Sequence, residues 1–205
     1  ASIDEVFRAT EAGTADFGVV PVENSSEGAI NRTLDLMLAT TTVISGEVAI
    51  AVQHSLMTRS GSMEGVTVVC AHSQALAQCQ AWLNLHYPGL ERRAVASNAE
   101  AAVMASKDPS VAAIASEMAG RQYGLGIVAG HIQDDPHNRT RFAVIGQLQA
   151  APSGHDQTSL VLAVPNKPGA VVSLLAPLAT HGVSMTRFES RPARTGAWEY
   201  YFYVD

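Results

Sequence analysis

Between Phe17 and about Gly146, short apolar runs alternate with stretches of helical periodicity, and no other feature of the sequence constrains the fold as much. Strand-like runs occupy 17–22, 43–52, 66–70, 111–115 and 140–146. Strands that alternate with helices are typical of α/β domains, in which helices cover the faces of a sheet. The segment is therefore predicted to be an α/β domain.

The composition changes at Gln149–Gln157, where small, polar and proline residues predict an exposed linker. After the linker the predicted order is strand (159–164), turn (166–169), helix (170–181), strand (183–190), hairpin loop (191–196) and strand (197–204). Pro177 is expected to kink the helix, because proline donates no backbone hydrogen bond. We therefore expect two domains, at 1–150 and 157–205.

The charge balance and the cysteine content exclude several classes of protein. The chain has 13 Lys and Arg against 19 Asp and Glu, which argues against a general nucleic-acid binder. No apolar run reaches the roughly 18 residues that a membrane span needs, and no leader is found. Two cysteines and scattered histidines indicate neither a disulfide framework nor a metal site, and no glycine-rich nucleotide loop occurs. We expect a reduced, cytoplasmic protein without a metal or cofactor.

The first candidate site follows the strand that ends at Val22. Glu23, Asn24 and Ser25 lie there, and Asn24–Glu27 has the pattern of a helix N-cap with an acid at its third position. A helix N-terminus with short polar side chains suits a carboxylate ligand. Alternatively, Asn24 and Glu27 only cap the helix.

The second candidate site is Asn138–Phe142, at the start of an apolar strand. Its threonine hydroxyl can donate a hydrogen bond or a proton to a departing oxygen, and an arginine can grip a carboxylate with two hydrogen bonds. Strand alternation places Thr140 and Arg141 on opposite faces, so they share one cleft only if the backbone is irregular. The alternative is an ordinary strand threonine between solvated arginines.

Two further segments carry polar side chains at helix starts or strand ends. Gln74 and Gln78 share a helix face after Cys70 and His72; a Cys/His nucleophile is conceivable there, although buried cysteine is usually a small apolar filler. Asn166–Val172 is a tight turn into a helix, where a small carboxylate could rest, or it is simply a turn.

Together these segments resemble the prephenate dehydratase family, in the right order over nearly the whole chain. The resemblance is carried by Gly18–Gly28, by Thr140-Arg-Phe142 and by Glu189-Ser-Arg-Pro192, with His72, Gln74, Gln78, Cys79 and Tyr123-Gly-Leu125 in support. It implies a catalytic part with two α/β lobes around a cleft, like a type II periplasmic binding protein. It also implies a ferredoxin-like ACT domain at the C-terminal end, which binds phenylalanine at a dimer interface.

The activity that the resemblance implies is the conversion of prephenate to phenylpyruvate, water and carbon dioxide, feedback-regulated by L-phenylalanine. By resemblance Thr140 helps the ring hydroxyl leave, and the expected substrate-binding residues are Glu23, Asn24, Ser25, Gln78 and Arg141. The expected phenylalanine site of the tail consists of Gly169, Ala170, Val171, Glu189, Ser190, Arg191 and Pro192. A homodimer or homotetramer is expected.

Two other functions fit the same fold. The substrate could be arogenate, which carries an amine where prephenate has a keto group, or the protein could be a non-catalytic small-molecule sensor. The family's N-terminal strand and its Gly-Pro-x-Gly-Thr loop are not found, nor are the second helix and last strand of an ACT domain. We therefore expect a piece of a longer enzyme, inactive if made alone.

Overall fold

The computed structural model of the chain describes residues 2–193 and 200–205. Its helices are α1 (Ile3–Glu11), α2 (Asn31–Met37), α3 (Ser73–Gln78), α4 (Gln80–His86), α5 (Asn98–Lys107), α6 (Glu117–Tyr123) and α7 (Ala170–Thr180). Its strands are β1 (Phe17–Asn24), β2 (Gly28–Ala29), β3 (Val43–Ala51), β4 (Ser55–Thr58), β5 (Val68–His72), β6 (Glu91–Val95), β7 (Val111–Ala115), β8 (Gly126–Ala129), β9 (Arg139–Gly146), β10 (Leu160–Ala163), β11 (Phe188–Pro192) and β12 (Tyr200–Val204). The chain divides into two compact units, 1–49 with 140–205 and 50–139.

Unit 1 contains a four-stranded sheet in the order β2-β1-β9-β3 and a three-stranded sheet in the order β10-β12-β11. The first sheet buries a cluster against the helices α1 and α2, formed by Phe7, Val20, Val22, Ala143 and Ile145 with Ile3, Val6, Leu36 and Met37 packed around it. β1 and β9 are antiparallel neighbours, and they bring the two strongest sequence motifs side by side.

Unit 2 is built on a five-stranded sheet in the order β6-β5-β7-β4-β8. The strands β6, β5 and β7 run parallel, whereas β4 is antiparallel to both of its neighbours. All five residues of Val111–Ala115 are buried, because apolar clusters cover both faces of the central strand. A strand buried on both sides has a continuous apolar sequence, which is why β7 is predicted with its exact bounds.

The α/β prediction is confirmed, and the five strands predicted between 17 and 146 all form, with ends that differ by no more than two residues. The sequence reasoning missed α1 and the strands β2, β4, β6 and β8. α1 begins with a capping box, in which Ser2 accepts a hydrogen bond from the backbone of Glu5 and Glu5 accepts one from Ser2. β6 contains Glu91, Arg92 and Arg93 and lies at the edge of its sheet, where charged residues are common.

The predicted helix start at Asn24–Glu27 is wrong. β1 continues through Asn24 and a turn follows, while α2 begins only at Asn31, after an Ile30 N-cap without a side-chain hydrogen bond. Asn24 Oδ1 instead accepts a hydrogen bond from the backbone N–H of Ser26 at 3.0 Å. Asparagine often stabilises turns in this way, so the same side chain predicts a cap or a turn equally well.

The sequence also predicts serine N-caps at Ser73, Ser97 and Ser116, and the end of a helix near Tyr123-Gly124. Ser97 and Ser116 are N-caps whose side chains accept backbone hydrogen bonds, and the left-handed Gly124 ends α6, as predicted. Ser73 is the first residue of α3, and its N-cap is His72 rather than the serine.

The tail forms the predicted strand, helix and two strands, although β11 begins only at Phe188, five residues later than expected. α7 continues past Pro177 to Thr180. The predicted loop at 191–196 begins too early, because β11 continues to Pro192. Residues 194–196 of that loop and 197–199 of the last predicted strand lie outside the described residues, whereas β11 and β12 pair antiparallel as a hairpin requires.

Gly126 has no room for a side chain, and this predicts a large effect of a small substitution. A Cβ on Gly126 would lie 2.6 Å from Gly61 Cα and 2.7 Å from its backbone nitrogen. We expect Gly126→Ala to lower the free energy of unfolding by about 2 kcal/mol, since two backbone segments must separate. Gly89→Ala, with nothing within 4 Å of its Cβ, is the control for urea denaturation. Equal stability of the two variants would contradict this packing.

Candidate active site

The pairing of β1 with β9 brings the first two candidate sites together. Asn24 is the register partner of Thr140, and Glu23 is the partner of Arg141. The register shifts between Pro21 and Glu23, which makes a β-bulge in β1. Bulges often occur beside functional sites because they redirect side chains.

Thr140 and Asn24 form a hydrogen-bonded pair. Asn24 Nδ2 donates to Thr140 Oγ1 at 2.9 Å, and the Asn24 residue is only 6% exposed. Its amide oxygen is occupied by the Ser26 N–H, so the amide is held at both ends. Because Thr140 Oγ1 accepts from Asn24, the hydroxyl proton remains for donation to another acceptor. This arrangement suits a group that donates to a leaving oxygen.

Arg141 is surrounded by carboxylates on the other face of β9. Its Nε and Nη2 donate to the two oxygens of Glu47 at 2.9 and 2.7 Å, and its Nη1 donates to Glu23 at 2.8 Å. A third carboxylate, Asp205, lies 3.4 Å from Nη2. Arg141 also lines a cavity of about 190 Å³ together with Ala143 and Ile145, as the alternation of the strand predicts. Its guanidinium therefore already has three anionic partners.

These contacts change the acid–base properties of the cluster. Hydrogen bonding to Glu47, followed by that to Glu23, raises the pKa of Arg141, so its charge is permanent. Burial opposes ionisation of Asp205, but hydrogen bonds from Ser159 and Arg187 outweigh burial and leave its pKa below the usual value. The expected contact of Arg141 with a substrate carboxylate stays a prediction, since the guanidinium is engaged within the protein.

Gln78 belongs to unit 2, where it is the last residue of α3. Its Oε1 lies 2.9 Å from Nε2 of His54, a buried histidine that the sequence analysis did not single out. No motif marks His54, because the two residues are 24 positions apart and meet only through the fold. His72 accepts a hydrogen bond from the backbone of Gln74 and acts as the N-cap of α3.

Both cysteines are buried, which predicts that neither is a nucleophile. Cys70 and Cys79 are 0% exposed, and burial raises the pKa of Cys79 to about 12. We expect no alkylation of either thiol by iodoacetamide at neutral pH in the native protein, and full alkylation of both in denaturant, measured by mass spectrometry. Rapid labelling of native Cys79 would contradict this and restore the Cys/His alternative.

The residues expected to bind phenylalanine lie on two elements of the tail. Ala170 and Val171 line a cavity of about 60 Å³ beside Tyr200 and Phe202, and Gly169 precedes them in the left-handed conformation. The four residues Glu189, Ser190, Arg191 and Pro192 lie on β11 and are not among the described residues that line this cavity. Arg191 instead donates to Asp35 at 2.7 and 2.9 Å.

Within the described residues, no cluster of three His, Cys, Asp or Glu side chains could hold a metal ion. None of the helices in that part of the chain has the length and apolarity to span a membrane.

Comparison with known proteins decides the family. A sequence model of the family described as "PDT: Prephenate dehydratase" matches residues 1–150, about three quarters of the chain. The chain belongs to the prephenate dehydratase family. A bifunctional chorismate mutase/prephenate dehydratase of Neisseria gonorrhoeae is 50% identical over an alignment of 207 positions, which covers 100% of this chain and 57% of that protein. The equivalent protein of Stutzerimonas stutzeri is 48% identical, and the chain covers 56% of it. The chain therefore spans little more than half the length of these relatives.

Solved structures match the same prephenate dehydratase fold. A prephenate dehydratase of Arthrobacter aurescens in complex with L-Phe has a TM-score of 0.83 and 29% identity, over 100% of this chain and 69% of that one. GqqA, described as a novel type of quorum-quenching acylase, has a TM-score of 0.84 and 28% identity, over 99% of this chain and 75% of that one. The fold is therefore shared by proteins whose stated activities differ.

Proposed function

We propose that the protein is a prephenate dehydratase, which converts prephenate to phenylpyruvate in the synthesis of L-phenylalanine. The observation that carries the proposal is the hydrogen bond from the buried Asn24 to Thr140, which leaves the O–H of the partly buried threonine as a donor. Family membership supplies the substrate class, and the Thr140–Asn24 pair supplies a group that the reaction needs.

The reaction needs little acid assistance, which is why a threonine suffices. The bond between the ring carbon and the hydroxyl breaks, and the hydroxyl leaves as water. The proton comes from the Thr140 hydroxyl, or from solvent by way of that hydroxyl. The bond between the ring and its carboxylate breaks as well, carbon dioxide departs, and the electron pair completes the aromatic ring. Aromatisation drives the step, so positioning and hydrogen bonding carry the catalysis.

The remaining site residues have supporting roles in this proposal. Asn24 orients the Thr140 hydroxyl, and Ser25 follows Asn24 in the turn after β1. The side chain of Gln78 offers an amide donor. Glu23 holds Arg141 by a 2.8 Å hydrogen bond. In this account Arg141 contacts the substrate only if it gives up one of its carboxylate partners.

We further propose that 1–150 is the catalytic part and that 157–205 belongs to an ACT domain that binds L-phenylalanine. The order of strand, helix and two strands in the tail supports the ACT assignment, as does the small cavity at the start of α7. The proposed enzyme is a homodimer or homotetramer, and its cytoplasmic location stays a prediction.

The test is an assay of the purified full-length protein with prephenate and, separately, with arogenate, each with and without phenylalanine. We expect phenylpyruvate from prephenate, little turnover of arogenate, and a changed rate when phenylalanine is added. Turnover of arogenate alone would identify an arogenate dehydratase. Binding of prephenate without any product would identify a sensor and overturn the proposal.

A further inference from the structure

His54 is a buried polar residue for which the proposed reaction has no role so far. It lies between β3 and β4 and is 6% exposed. A buried imidazole costs free energy unless it is hydrogen-bonded, and its nearest polar side-chain partner is the amide oxygen of Gln78 at 2.9 Å. Since an amide oxygen only accepts, His54 Nε2 is the donor in this contact.

The backbone of both residues is held by one segment of unit 2. His54 N–H donates to the side chain of Gln133 at 3.1 Å, and the His54 carbonyl accepts from Ile132 at 2.9 Å. The carbonyl of Gln78 accepts from Asp134 N–H at 2.7 Å. Three consecutive residues, 132–134, therefore fix where the imidazole and the amide stand relative to each other.

The orientation of the Gln78 side-chain amide determines whether its NH₂ group or its oxygen faces a ligand. With its oxygen held by His54, the amide presents its NH₂ group, and among the described residues that NH₂ has no hydrogen-bond acceptor. Prephenate is a dianion, which an NH₂ group attracts and an amide oxygen repels. An amide free to rotate would present the wrong end for part of the time.

We propose that His54 is a positioning residue that holds the Gln78 amide with its NH₂ group toward the substrate. His54 touches no substrate atom in this account and acts only through Gln78. The inference rests on the proposed function, because it takes prephenate as the ligand of Gln78.

The kinetic test compares two amide substitutions in the full-length protein. Glutamine reaches about as far as the Nε2 of histidine, whereas asparagine is one methylene shorter. We expect His54→Asn to lower kcat/KM for prephenate about tenfold, the effect of one lost hydrogen bond. His54→Gln should restore kcat/KM to within about threefold of the wild type. An equal loss in both variants, at unchanged Tm, would overturn the proposal.

A double-mutant cycle separates positioning from a purely structural role. If His54 acts through Gln78, His54→Asn should change kcat/KM less than about twofold in a Gln78→Ala background. A tenfold loss in both backgrounds would contradict the proposal. If His54→Asn does not fold, the contact is tested by the NMR measurement below, which needs no variant.

Long-range ¹⁵N NMR of the wild-type imidazole tests the contact without any turnover. We expect a proton on Nε2 of His54, and a neutral ring protonated only on Nδ1 would overturn the proposal. If the wild type shows the Nε2 proton but does not turn over prephenate, the proposed function fails while the His54–Gln78 contact stands. The two failures are thus distinguishable.

Discussion

Thr140→Ala is expected to lower kcat for prephenate by about 10²–10³-fold, the lower part of the range for loss of a positioned acid, because the reaction needs little acid assistance. The variant removes the hydroxyl that accepts from Asn24 and, in our account, donates to the leaving oxygen. KM should change little, because the carboxylates of the substrate are bound by other groups. Steady-state kinetics together with calorimetric measurement of prephenate binding check both parts.

The matched control for this prediction is Thr140→Ser, which keeps the hydroxyl and loses only a methyl group. We expect kcat within about tenfold of the wild type, since serine has more rotamer freedom but the same donor. Unchanged turnover in Thr140→Ala would remove Thr140 from the mechanism. A rise in KM with constant kcat would make it a binding residue instead.

Arg141→Met is expected to lower the free energy of unfolding by about 3 kcal/mol, a drop in Tm of roughly 9 °C for a chain of this size. The substitution leaves Glu23, Glu47 and Asp205 close together without their shared cation, and the Asp205 side chain is only 2% exposed. We place this loss of stability at the low end of the range for the breaking of a buried ion pair, because the side chain of Glu47 is 41% exposed. Thermal denaturation measures it directly.

Arg121→Met is the control for a charged residue without such a network. Its side chain is 83% exposed and its Glu117 partner lies 3.8 Å away, so we expect a change below about 0.5 kcal/mol. We expect the loss of stability in Arg141→Lys to lie between those of Arg141→Met and Arg121→Met, because lysine keeps the charge but cannot reproduce the two hydrogen bonds to Glu47. A large rise in KM for Arg141→Met with an unchanged Tm would show that Arg141 binds substrate and does not stabilise the fold.

The parts of the fold that were predictable are those in which neighbouring residues determine the structure. The continuous apolar sequence of β7 and the serine caps of α5 and α6 are local signals, and all three were interpreted correctly. The capping box of α1 is equally local and was overlooked. Asn24 was misinterpreted, because a turn and a helix cap use the same side-chain hydrogen bond.

The candidate site was predictable only in part, because its contacts join distant segments. The motifs identified Asn24 and Thr140 separately, whereas their hydrogen bond depends on the register of β1 with β9, 116 residues apart. Alternation along β9 correctly placed Arg141 on the face opposite Thr140, and in the structure that face lines a cavity. It could not show that Glu47 and Asp205 would neutralise its charge, nor that His54 would meet Gln78.

The most direct test of the central claim is a measurement of both products from the same reaction. Full-length protein and prephenate are mixed, and carbon dioxide and phenylpyruvate are quantified for the wild type and for Thr140→Val, which replaces the hydroxyl by a methyl group of similar size. We expect equal amounts of the two products from the wild type, and hardly any from Thr140→Val, which still binds prephenate. Equal product yields and rates from the two proteins would contradict the account.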